Sequence, residues 1–191
     1  MKIWKPLIIS GGIVTVLAII VGAVWISAYN GAVSQEATVN EKRGNVHASL
    51  SSRYDKVVVF IDAIEDANET IQGYLNAIVE AREAFANALT LNDNATADEA
   101  ASAVDSTFTT LVAYMEDNPD SYNTVALYSG FLGEFSASTN AVRYDIGIFN
   151  EAARNYNIHI QTFPNNIFVG YREVISEYSL DNYNAVLPTF N

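Results

Sequence analysis

A chain of 191 residues with no cysteine must draw any chemistry from two histidines, 22 carboxylates, ten Lys and Arg, and its hydroxyls. Without thiols there is no disulfide, thiolate nucleophile, Cys-based zinc site or iron–sulfur ligation. His47 and His159 stand far apart in sequence, and neither has a second His four residues away to build a metal face on a helix. Neither has a Glu three residues before it, so the paired Glu-x-x-His ligands of a di-iron bundle are missing. Both read as surface or boundary histidines. The densest carboxylate group is Asp62, Glu65, Asp66 and Glu69, whose spacing of three and four puts the side chains on one helix face. Such a face can hold a hard cation such as calcium through oxygen ligands, but the commoner outcome is solvated charge opposite an apolar stripe.

Two polar residues, Asn68 and Arg82, interrupt an otherwise apolar stripe. A buried arginine needs an acidic or carbonyl partner, because a lone buried charge costs several kcal/mol. The pattern therefore predicts a register-fixing polar layer in which Arg82 meets Asp145 or another opposed residue, and the competing reading is a ligand pocket in the bundle. There is no Gly-rich phosphate loop, Gly-x-Ser-x-Gly elbow or His-Glu-x-x-His. No residue is assigned as catalytic, cofactor-binding or metal-ligating, and no cofactor is expected.

The elements that would position these residues are legible from hydropathy. Leu7 to Ala28 is 22 residues long and carries no charge. At 1.5 Å per residue it is long enough for the roughly 30 Å hydrocarbon core of a bilayer. A buried core helix or a signal peptide are the alternatives. Signal h-regions run to about 7–15 residues and end at small-x-small sites, whereas this stretch ends in Trp25-Ile26-Ser27-Ala28-Tyr29. The expectation is an uncleaved single-pass anchor. Lys2 and Lys5 precede it and no Lys or Arg occurs between Tyr29 and Glu41, which places the N-terminus in the cytoplasm. Trp4, Trp25 and Tyr29 suit the two interfacial belts. The domain outside then carries eight cations against 22 carboxylates, a net charge of −14. That balance argues against nucleic acid as a partner, since phosphate binding requires a clustered basic surface.

Steps of three and four residues define the rest. From Val57 they give Ile61, Ile64, Asn68, Ile71, Leu75, Ile78, Arg82, Phe85 and Leu89, read as one long helix. From Val125 they give Tyr128, Leu132, Phe135, Thr139, Val142, Ile146, Phe149, Ala153, Tyr156, Ile160 and Phe163, a second. Ala97, Ala101, Val104, Phe108, Leu111 and Met115 mark a shorter helix, with Thr96 as predicted N-cap and Glu99 completing a capping box. It stops near Asn118-Pro119. A weaker helix over about Asn30 to Leu50 carries Val33, Val39, Val46 and Leu50 and is flawed by Gly44. The predicted fold class is all-α: a single transmembrane helix followed by a long antiparallel four-helix bundle, the first bundle helix running on from the span. The expected organisation is a short cytoplasmic N-terminus with the span over 1–28, the bundle over 29–176 and an irregular tail over 177–191. Within the bundle region, Ile167 to Ser176 is expected to form a short extra helix.

Several segments together resemble the LemA family. The segment Phe149-Asn150-Glu151-Ala152-Ala153-Arg154-Asn155-Tyr156-Asn157, followed by Phe163-Pro164-Asn165-Asn166-Ile167, resembles its hallmark of a paired Tyr-Asn spaced by seven and then Phe-Pro. Tyr29-Asn30-Gly31-Ala32-Val33 is similar to its Tyr-Asn-x-Leu-Val. Arg53-Tyr54-Asp55 and Ala81-Arg82 match its Arg-x-Asp and Ala-Arg. The chain departs from the family at Lys56-Val57-Val58-Val59-Phe60 and at Asn118-Pro119-Asp120-Ser121-Tyr122, and no Gly-Tyr-Ala-x-His-Glu segment is recognisable. The resemblance implies an N-terminally anchored helical bundle on the outer face of a bacterial-type membrane, without an established enzymatic activity.

The function expected is a non-enzymatic structural or protein-interaction module of the cell envelope, held by the lipid bilayer through residues 7–28. Its partner would be an envelope or surface protein, or a second copy of the chain. The alternatives are a small-ligand or cation sensor, or an enzyme, using the bundle interior, and a subunit of a surface filament or larger membrane assembly, which the tyrosines between Tyr171 and Tyr183 would suit.

Overall fold

The computed structural model describes residues 4–62, 69–91, 93–118 and 125–180. Among them every regular element is helical: α1 Trp4–Asp62, α2 Glu69–Thr90, α3 Asn94–Glu116, α4 Val125–Gln161 and the short α5 Asn165–Val169.

The longest element, α1, has 59 residues. Val, Ile, Leu and Ala fill its first half, and after Pro6 no proline breaks its hydrogen-bond ladder. Its most apolar 18-residue window has a mean hydropathy of 2.4, and none of that window is buried. By length and hydropathy this helix could cross a membrane. Beyond the window the buried apolar positions are Ala28, Ala32, Val39, Val46, Leu50, Tyr54, Val57 and Phe60. Their spacing in multiples of three and four is that of a packed helix seam. Val33, expected on that seam, is exposed, and the smaller Ala32 takes the position.

The stripe read as one helix from Val57 to Leu89 falls on two elements. Tyr54 of α1 meets Phe85 of α2 edge to face, ring centroids 5.2 Å apart, and Asp55 pairs with Arg82. On a single helix, residues 27 positions apart would lie about 40 Å from each other. The stripe is therefore shared by two helices that face each other, and residues 63–68 between them lie outside the described residues. Two helices that each bury one face toward the other reproduce the same period. With no glycine or proline from Ile61 to Gln72, nothing in composition marked the division.

Contacts divide the chain into two units, Met1–Glu41 with Glu151–Ile175, and Lys42–Asn150 with Ser176–Asn191. In the second, Phe108 of α3 lies between Phe60 of α1 and Phe135 of α4, each 5.7 Å away by centroid. The α3 positions Ala97, Ala101, Val104, Phe108, Leu111 and Met115 are all buried, as the period predicts. Its N-cap is Asp93 rather than Thr96: the Asp93 carboxylate accepts from the Thr96 backbone N–H at 3.1 Å and from its hydroxyl at 2.6 Å. Either residue type caps well, and the aspartate, placed three residues earlier, takes the role. That bond holds the exposed Asp93 carboxyl below its ordinary pKa.

On α4 the positions Phe135, Val142, Ile146, Phe149, Ala153, Tyr156 and Ile160 are buried. Phe163, predicted to continue the stripe, lies beyond the helix end at Gln161 and is 74% exposed. The extra helix is α5, ending at Val169. Residues 173–179 form no regular element, and side-chain bonds from α3 and α4 hold the stretch from Ile175 to Ser179.

Candidate functional site

Two polar clusters stand out, one in each unit. In the Lys42–Asn150 unit, α1 presents Arg53 with no solvent exposure. Its Nη2 donates to Asp105 Oδ2 of α3 at 2.8 Å, and its guanidinium lies 4.7 Å over the Phe135 ring. Burial pushes the Asp105 carboxyl up to about 6, against the opposing pull of Arg53. Burial, and secondarily the Asp105 charge, also raise the Tyr54 hydroxyl. Arg53 Nε and Nη1, Asp105 Oδ1 and the Tyr54 hydroxyl have no protein partner. This is a charged layer inside an apolar core, and such a layer fixes register more than it adds stability.

The arginine expected in that role was Arg82. Its side chain is 41% exposed and its partner is Asp55, not Asp145. Arg82 lies at the edge of the α2 stripe, where a long side chain can carry its charge out to water. Arg53 was recognisable as part of an Arg-x-Asp segment. Asp105 was missed: it neighbours Val104 on α3, and a carboxylate flanking an apolar stripe is usually solvated.

In the other unit, the end of α4 lies beside the C-terminal end of the apolar stretch of α1. His159 Nε2 is 2.9 Å from the carbonyl oxygen of Ala28, and His159 Nδ1 is 3.3 Å from Asn165 Nδ2. Gly31 leaves the room for this ring: a Cβ there would come within 2.5 Å of His159 Cε1. Arg172 donates to Glu36 at 2.6 Å and stacks 5.3 Å over the Tyr29 ring. Asn157 closes a two-way bond with the backbone of Ile175, donating from Nδ2 at 2.9 Å and accepting at Oδ1 at 2.8 Å. Asn150, in its own unit, does the same to Tyr178, at 2.9 Å in both directions.

His47, the other histidine, sits half-buried on α1. Burial, then the charge of Arg43, lower its pKa, and its Nε2 has no hydrogen-bond partner. Among the described residues no three His, Asp or Glu gather as metal ligands. Of the acidic group Asp62, Glu65, Asp66 and Glu69, only Glu69 has a described side chain, and it is exposed; the patch as such lies outside the described residues.

The geometry accounts for most of the segments singled out in the sequence. Tyr29, Gly31, Asn150, Tyr156, Asn157 and Asn165 stand at close contacts or at buried positions, and Arg53, Asp55 and Arg82 form ion pairs. An all-helical chain with an apolar N-terminal helix and this set of Asn-backbone clamps defines the class. A sequence model of the LemA family matches residues 42–184, and the chain belongs to that family. No curated protein and no solved structure matches it.

Proposed function

We propose that the chain is a membrane-tethered, non-enzymatic interaction module of the cell envelope. Residues 7–28 cross the bilayer once with the N-terminus cytoplasmic, and an antiparallel four-helix bundle stands outside. The observation that carries this reading is α1 itself, one uninterrupted helix that carries an apolar window with none of its residues buried and, beyond it, a buried seam. LemA membership supports it.

Because the chain has no cysteine, single substitutions report topology cleanly. A membrane-impermeant maleimide should label Ser51→Cys in intact cells and Lys2→Cys only after lysis; the reverse pattern defeats the orientation, and labelling of both in intact cells defeats the span. Crosslinking in intact cells with mass spectrometry should recover a surface-protein partner or a second copy. Recovery as an isolated monomer counts against the interaction role.

A further inference from the structure

We infer that the turn after α4, α5 and the residues following it form a second membrane contact, an apolar wedge seated in the leaflet at the C-terminal end of the α1 span. This rests on the reading of residues 7–28 as a bilayer span. Phe163, Ile167 and Tyr171 are 74%, 66% and 76% exposed, and Val174 follows them into solvent. From Asn155 to Tyr171 the chain holds no Asp, Glu, Lys or Arg, although its net charge is −12. A free surface on so acidic a chain would be expected to carry charge; a lipid-facing one must avoid it.

The placement of this segment is set by bonds within its own unit. His159 is tied to the carbonyl of Ala28, at the end of the apolar stretch, and Asn165 is tied to His159. After that point the chain does not climb away from the span. Phe168 of α5 lines an open groove of about 700 Å³ with Val14, Leu17, Ala18, Val21, Gly22 and Trp25. Those α1 residues precede Ala28 by one to four helical turns, so Phe168 lies at a depth that belongs to lipid if α1 crosses the bilayer. The groove is apolar and open, and the acyl chains around the span are the occupant continuous with it. Arg172, the first cation after the run, reaches back to Glu36 and the face of Tyr29, the arrangement of a snorkelling residue at a headgroup boundary. Aromatic and aliphatic side chains clustered with few charges suit that interface.

Depth measurement on the full chain tests this. Nitroxide labels are placed singly at Phe163→Cys, Ile167→Cys and Tyr171→Cys, with Leu17→Cys and Ser51→Cys as references, in vesicles of phosphatidylcholine and phosphatidylglycerol. Collision with oxygen should exceed collision with a water-soluble nickel chelate severalfold at 17, 163 and 167, should be intermediate at 171, and should reverse at 51. Lipid exposure at 17 with nickel access at 163 and 167 overturns the wedge while the span stands. Water access at 17 overturns the span itself. Shielding of 163 and 167 from both reagents means that protein covers them, and it also overturns the wedge. Circular dichroism of each labelled chain confirms that the helices are retained.

Discussion

The buried Arg53–Asp105 pair sets a pH dependence whose sign follows from burial. Asp105 is raised from its ordinary 3.8 to about 6, so the folded chain binds this proton more tightly than the unfolded chain. Its contribution to stability is fully present below about pH 3.8 and is lost as pH rises through about 6. Arg53 is what holds the carboxyl down. Arg53→Met leaves a buried carboxylate without its cation, so the loss should extend to higher pH and reach about 3–5 kcal/mol at pH 8. Urea unfolding in detergent at pH 5, 6.5 and 8 should show the gap between Arg53→Met and the parent widening with pH. The lowered pKa of His47 works in the opposite sense, but it is common to both proteins and cancels in the difference. A gap independent of pH would mean that Arg53 contributes packing alone. Gly31 offers a second residue-scale test, because its missing Cβ makes room for His159. Gly31→Ala should cost about 1–3 kcal/mol through the overpacked contact. In a His159→Ala background the same change should stabilise by up to about 1 kcal/mol, since alanine is the better helix former. Thermal unfolding of the four proteins decides it, and an effect of one sign in both backgrounds refutes the contact.

At the level of elements, Asn150 and Asn157 explain why an aromatic-Asn pair recurs every seven residues. The two pairs stand seven residues apart, about 10.5 Å or two turns along α4, and their amides close on Tyr178 and Ile175. Each amide satisfies a backbone donor and a backbone acceptor of the segment after α5 together. Asn157→Ala should accelerate hydrogen exchange at the Ile175 amide, and Asn150→Ala at the Tyr178 amide. Each loses two bonds of about 0.5–1.5 kcal/mol net. Acceleration of both amides by either variant would point to one cooperative strap instead of two local clamps. The residues of these clamps were legible in the sequence, but their targets were not. Helical period located α3 and α4 because a buried face repeats every 3.6 residues. A backbone accepting bonds at Ile175 and Tyr178 leaves no pattern in side-chain type, so 177–180 read as tail. The division into α1 and α2 was hidden for the same reason, since a stripe has the same period on one helix or on two. Asp105 stayed hidden because only its distance from Arg53 distinguishes it from a solvated carboxylate.

Across the whole chain the dominant quantity is charge. Between Asp55 and Asp120 there are 14 carboxylates opposed only by Lys56 and Arg82. The cross-helix pairs Lys56–Glu134, Arg82–Asp55 and Arg172–Glu36 each have a partner at least 44% exposed. Pairs of that kind contribute little, about 0–1 kcal/mol each, and salt weakens them. Repulsion among the surplus carboxylates is screened by the same salt, with a Debye length of about 10 Å at 0.1 M. The two effects oppose each other, and the excess of like charge should dominate. Raising NaCl from about 20 to 300 mM at pH 7.5 should therefore raise the unfolding temperature of the detergent-solubilised chain by a few degrees. A fall would mean that the ion pairs outweigh the repulsion. Calcium separates diffuse charge from a built site: at matched ionic strength, CaCl2 acting as screening alone should reproduce the NaCl shift approximately. A saturable further rise at micromolar calcium, lost in Glu65→Gln/Asp66→Asn, would instead assign a specific cation site to the acidic group at 62–69.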